Sequence, residues 1–232
     1  MLKRTVIRPH FVIAVLMCSV APAAVAQFEG VVESRNVTTD ETGASQEFVM
    51  TMWIKGDMVK IQTSAIGSQP GSTMIYRNDR HVVWIVNDVD KTYSEMRQED
   101  SVADTAGRSD RRGVDTPVIR RTKKTKKILG YLCEKIIVST PEDETEIWGT
   151  KALGRLASSI SRVFGTESSE DGDAWTDELS SLGVFPLIAS TKVRGEVVES
   201  QTVTKIEART LPEGLFELPS EYKKQHVGDM MK

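Results

Sequence analysis

Period two governs much of this chain. From Glu47 to Lys55, Phe48, Met50, Met52 and Ile54 alternate with Val49, Thr51, Trp53 and Lys55, and an extended backbone sends the two sets to opposite faces of a sheet. Gly56-Asp57 follows with the chemistry of a tight turn, and Met58 to Thr63 runs back, so the spacing predicts a hairpin. Similar short runs, separated by Gly, Asn and Asp, occupy Phe28 to Arg35, Met74 to Arg77, His81 to Val86 and Lys91 to Met96. They resume at Val118 to Arg121, Tyr131 to Ser139, Thr145 to Gly149, Phe185 to Lys192 and Gly195 to Ala208. Consecutive strands of this kind build an antiparallel sheet.

Helical spacing enters late. Thr150 is placed to cap a segment in which Leu153, Leu156, Ala157, Ile160 and Phe164 share a face and Gly165 closes it. Trp175, Leu179 and Leu182 mark a second short amphipathic stretch. The fold class expected is therefore mainly β with some helix (α+β): a curved antiparallel sheet or half-barrel covered by the late helices. Residues 98–115 carry charge, Gly and Ser with almost no apolar content, and read as a mobile polar loop.

Residues 1–26 read as a cleaved export signal. Lys3, Arg4 and Arg8 precede the apolar run Phe11 to Val20, and Ala24-Val25-Ala26 before Gln27 is a small-x-small cleavage site. Lipid anchoring at Cys18 fits less well, because Met17 precedes it where a small residue is expected. Residues 27–232 are then expected to form one β-rich domain. Three of the 30 basic residues and none of the 33 acidic ones fall in the signal, so the remainder is net −6. Such a balance argues against general nucleic-acid binding. Cys133 is left as the single cysteine, with no partner for a disulfide within the domain.

Reactive chemistry finds little support. His81, His226 and Cys133 lack metal-ligand spacing, the pairs Asp88/Asp90 and Asp171/Asp173 are too few for a Ca²⁺ loop, and no cofactor is expected. No Ser sits in a nucleophile elbow and no Gly-rich phosphate loop is present. Cys133, on a strand flanked by Leu132 and Ile136, reads as a buried small apolar group. The apolar residues Phe48, Met50, Met52, Trp84, Trp148, Phe164 and Trp175 are candidates to line a ligand pocket, against the plainer reading of a filled core. Arg120, Arg121, Lys123, Lys124, Lys126 and Lys127 form a basic run in an acidic domain. They suit lipid headgroups or an acidic partner, or they simply solvate a strand edge.

Several pieces taken in order resemble a family of bacterial envelope proteins known as domain of unknown function 4412. They are Phe28-Glu29-Gly30, Trp53-Ile54-Lys55-Gly56-Asp57, Lys91-Thr92-Tyr93-Ser94-Glu95-Met96 and Leu129-Gly130-Tyr131-Leu132-Cys133-Glu134-Lys135. Glu146 and Trp148 with Lys151, Leu153 and Gly154 follow, then Leu215-Phe216-Glu217-Leu218-Pro219 and Tyr222. That family resembles periplasmic lipoprotein carriers of the LolA and LolB type, a half-barrel closed by helices around an apolar cavity. The resemblance implies an exported, periplasmic, noncatalytic binding or carrier protein for a lipid or other hydrophobic group, with lipid or an acylated protein as partner and at most peripheral membrane contact. The rival expectation is a structural or protein-interaction component of the envelope without a ligand cavity. No catalytic residue carries over.

Overall fold

The structure, a computed structural model, describes residues 28–97, 118–153 and 183–225. β1 (Glu29–Thr39), β2 (Ser45–Lys55), β3 (Met58–Thr63), β4 (Thr73–Arg77), β5 (Val82–Asn87) and β6 (Thr92–Arg97) step outward as one antiparallel meander. β7 (Val118–Ile128) then starts at the far edge of the same sheet. From there β8 (Tyr131–Ser139), β9 (Asp143–Thr150), β10 (Phe185–Val193) and β11 (Glu196–Ala208) step back inward until β11 pairs with β1. The two-residue β12 (Lys223–Lys224) adds to β6 in parallel, completing a large open curved sheet of twelve strands.

The β1–β11 pairing is the seam between the two meanders, with Val32 opposite Ile206. At its end Gly30 lies opposite Ala208, and a Cβ on Gly30 would stand 2.1 Å from the Glu207 carbonyl oxygen. Only glycine allows the strands so close there. Register shifts at Glu33/Ser34, at Pro186/Ile188 and at Arg121/Thr125 interrupt the ladders, and such bulges bend and twist the strands that carry them.

In the first meander the alternation is realised as two separate cores. On one face, called the front, Val32, Met52, Ile54, Val59, Ile61, Tyr76 and Val83 pack into a cluster that extends to Cys133, Leu153, Phe185, Leu187 and Val203. On the back, Val31, Ile75, Trp84 and Val86 pack with Leu211 and Phe216. A third cluster, Ile136, Val138, Ile147 and Val184, sits between β8 and β9.

Several expectations change in detail. The basic run lies within one strand, since β7 continues unbroken from Val118 to Ile128. The charged tail is ordered as far as β12. Beyond Leu153, the two helical stretches expected at 150–165 and 175–182 lie outside the described residues, as do the signal segment 1–26 and the loop 98–115. Thr150 ends β9, and its Oγ1 accepts a hydrogen bond from the Ala152 N–H at 3.2 Å. Among the described residues the helical element is a single 3-10 turn, Glu213–Phe216, so the helical cover of the expected fold is not part of what is described. The back of the first meander is covered instead by the C-terminal segment around that turn, in which Phe216 is fully buried.

Candidate functional site

The front face of the first meander follows from strand register. Across neighbouring strands, Ile206, Val32, Met52, Ile61, Met74 and Ile85 form one continuous row. One step toward the opposite end of β2, Met50 stands between Ser34 and Thr63, and beyond it Phe48 pairs with Asn36. Met52 is buried, while Met50, Met74 and Phe48 are half-buried. Methionine brings a flexible, polarizable chain to each place, so this face can repack around guests of different shape. Ser34 and Asn36 are buried on the same face, and the Asn36 amide donates to Ser34 Oγ at 3.2 Å. That bond satisfies polar groups that would otherwise make the apolar surface costly.

Trp148 belongs to a different constellation. Its indole N–H donates to Glu146 Oε1 at 2.9 Å, and Lys135 Nζ donates to Glu146 Oε2 at 2.5 Å. Lys126 Nζ lies 4.1 Å from the ring centroid and Lys135 Nζ 5.9 Å, both within cation–π range. The hydrogen bond from Lys135 holds the Glu146 carboxyl below the usual carboxylate range, against the opposing effect of burial. Beside these groups Cys133 is fully buried, and burial pushes its thiol up, so it stays protonated near neutral pH. Its Sγ–H donates weakly to the Tyr131 carbonyl at 3.6 Å.

The ligand-pocket candidates do not share one surface. Phe48, Met50 and Met52 lie together on the front of β2, and Trp148 touches the same core from its edge. Trp84 projects to the back, where it is buried under the C-terminal segment and donates to Glu95 Oε2 at 3.2 Å. Alternation within β5 makes the reason plain: Val83 and Trp84 are sequence neighbours, so they cannot face the same way. Phe164 and Trp175 lie outside the described residues. The partner candidates Arg120, Arg121, Lys123, Lys124, Lys126 and Lys127 are all exposed along the edge strand β7, where Arg121 is hydrogen-bonded to Glu134.

Sequence reasoning missed the charged residue that is buried among the described residues. Arg77, on the back of β4, grips Asp79 through Nε at 2.8 Å and Nη2 at 2.7 Å, and its Nη1 reaches Glu217 and the Phe216 carbonyl. Arg80 joins Glu217 at 2.8 Å. Hydrogen bonds from Arg77 hold Asp79 low; burial raises Glu217, but its bonds to Arg77 and Arg80 prevail and leave it low as well. Tyr222 donates its hydroxyl to Asp88 at 2.8 Å, and Lys55 Nζ donates to the Leu211 carbonyl at 2.6 Å. These contacts fasten residues 211–222 across the back. Arginine in a strand beside Asn-Asp is a common turn composition, so no local signal distinguished it.

Among the described residues no three His, Cys, Asp or Glu side chains gather as metal ligands, and no helix is long and apolar enough to cross a membrane. The arrangement is thus an apolar, methionine-bearing sheet face with a lysine–tryptophan–glutamate cluster at one side and a strapped back. The chain belongs to the family described as domain of unknown function DUF4412, whose pattern spans residues 28–222. No curated protein sequence matches it. Similar solved structures include an uncharacterized conserved protein from Thermus thermophilus, at 10% identity and TM-score 0.49, covering 85% of this chain and 91% of that one. MucB, solved in complex with MucA(peri), aligns at 11% identity and TM-score 0.41 over 83% of this chain and 55% of that one. A LolA superfamily protein from Nitrosomonas europaea aligns at 9% identity and TM-score 0.33, with 82% and 90% covered.

Proposed function

We propose that the protein is a noncatalytic binding or carrier protein of the periplasm, which shelters an acyl chain or another hydrophobic group against the front face of β1–β5. The observation that carries this reading is the side-by-side placement of Met50, Met52 and Met74, with Phe48 beyond them, three of the four being only half-buried. A core whose only task is stability favours shape-fixed Leu, Ile and Val, whereas methionine accommodates interchangeable apolar partners. The export signal read in residues 1–26 supports the compartment.

Protein recovered from the envelope of cells expressing the full chain, analysed by native mass spectrometry, is expected to carry lipid. An environment-sensitive apolar probe should bind it saturably and be displaced by fatty acid. Met50→Glu places a charge on this face at a half-buried position and should weaken the probe roughly tenfold or more, with an unchanged circular dichroism spectrum. Saturable binding that Met50→Glu leaves intact, or no binding at all, would overturn the reading.

A further inference from the structure

The β7–β8 hairpin combines two features that a merely solvated edge does not need. First, among the described residues β7 is the terminal strand of the sheet, and it carries Arg120, Arg121, Lys123, Lys124, Lys126 and Lys127 without an acidic residue along its length. Glu134 on β8 takes up Arg121, and Lys126 leans on Trp148, but the ammonium-bearing side chains of Lys123, Lys124, Lys126 and Lys127 are exposed. Lysines along an edge prevent strand-to-strand aggregation, which accounts for the charge alone.

The second feature is the tip. Ile128 pairs with Tyr131, so Leu129 and Gly130 form a two-residue turn, and both have positive φ, 49° and 84°. Such a turn favours Asn or Asp before Gly, because a bulky side chain is strained in the left-handed region. The corresponding turn between β10 and β11 gives the same place to a polar residue: Arg194 precedes Gly195, at φ 53° and 90°. At the β7–β8 tip the strained position is given to leucine, which is 45% exposed, and Leu132 beside it is 61% exposed. Leu132 stands opposite Lys127, so an exposed apolar group and a cation share one face.

Exposed leucines at the end of a cationic ribbon match the layering of a bilayer interface, with phosphates at the surface and hydrocarbon just beneath. We infer that the β7–β8 hairpin tip is a peripheral docking surface for an anionic lipid bilayer. Lys123, Lys124, Lys126 and Lys127 engage headgroup phosphates, while Leu129 and Leu132 enter the boundary with the acyl chains. The domain is net acidic, so this attraction is local to the hairpin and orients the sheet edge-on toward the membrane. The inference does not depend on whether the front face carries a ligand.

The test is sedimentation of the exported, purified protein with vesicles of phosphatidylcholine, with or without about one-third phosphatidylglycerol. Binding should require the anionic lipid and fade at high salt. Replacing Lys123, Lys124 and Lys127 together by Gln should weaken it about a hundredfold, at about fivefold for each cation brought to the surface. Leu129→Asn with Leu132→Ser keeps the charge and relieves the strained turn, so this variant remains folded, yet it should lose roughly tenfold in binding. Equal binding to both vesicle types, binding indifferent to either set of substitutions, or none would overturn the inference. Failure on vesicles with capture by a polyglutamate peptide would overturn it also, and give the edge to an acidic protein partner. Lipid carried by the purified protein but no vesicle docking would leave the carrier reading standing and sink this one.

Discussion

The two meanders of the sheet use the same hairpin chemistry for different ends. In β1, β4 and β5 successive residues are buried on both faces, so that Val31 and Val32, Ile75 and Tyr76, or Val83 and Trp84 each divide between two cores. In the returning meander such double burial occurs within β8, at Ile136 to Val138, and at the end of β9, while β7 has no buried residue and β11 only Val203. The difference lies in what covers the back: residues 211–222 cross it behind the first meander, and β12 occupies that meander's edge, while the opposite edge is the cationic β7. A strand buried on two sides is stiff and specified; a strand with a solvated edge keeps its backbone groups and charges available to something outside.

The largest break in this contrast is expected from Phe216→Ala. Its ring is fully buried in the back core, and truncation should cost about 3–5 kcal/mol, read as a fall in urea midpoint. The first meander should become the less stable of the two, visible as faster amide exchange in β4 and β5 than in β8 and β9. Exchange that speeds up equally everywhere would show that the strap stabilises the sheet as a whole.

Gly30→Ala strikes the seam instead. The added methyl meets the Glu207 carbonyl at a distance no real Cβ occupies, so β1 and β11 must separate, at about 1–3 kcal/mol. Here both meanders should loosen together. A variant as stable as the parent would mean that the seam yields without penalty.

Acid should undo the strap before the rest. Asp79 and Glu217 are held below their ordinary values by Arg77 and Arg80. Their stabilisation is therefore present above the unfolded carboxylate range and disappears as pH falls through the depressed folded values. Glu217→Gln, which leaves Arg77 its bonds to Asp79, should cost about 1 kcal/mol near neutral pH and flatten that acid dependence. Tyr222 fluorescence or proteolysis near residue 220 follows the release. An acid profile identical in parent and variant would remove Glu217 from the account.

Two smaller effects sharpen the other side. Cys133→Ala, the loss of one small buried group, should cost about 1 kcal/mol, and thiol labelling of the native protein should be slow. Substituting Lys123 and Lys124 by Gln should change stability by less than about 0.5 kcal/mol while altering vesicle binding, because exposed edge charges contribute little to folding. A large destabilisation from the lysines would make β7 a structural strand and not a docking one.

What can be read from the chain alone is local. Alternation in Glu47 to Lys55, the returning run after Gly56-Asp57 and most of the other paired runs appear as strands close to their expected limits, because period two and turn residues act within ten residues of one another, whereas β1 and β7 run on past the expected Arg35 and Arg121 to Thr39 and Ile128. Phe48, Met50 and Met52 were legible as one face for the same reason. Long-range packing alone decided that Trp84 belongs to the opposite face, that β1 meets a strand about 170 residues later in the chain, and that Leu215-Phe216-Glu217-Leu218 lies over the back with Arg77 as its fastening. Each of those depends on which elements come together in space. Periodicity tells a strand that it has two faces, but the partner that buries each face is chosen by the assembled sheet, and no spacing within the strand encodes it.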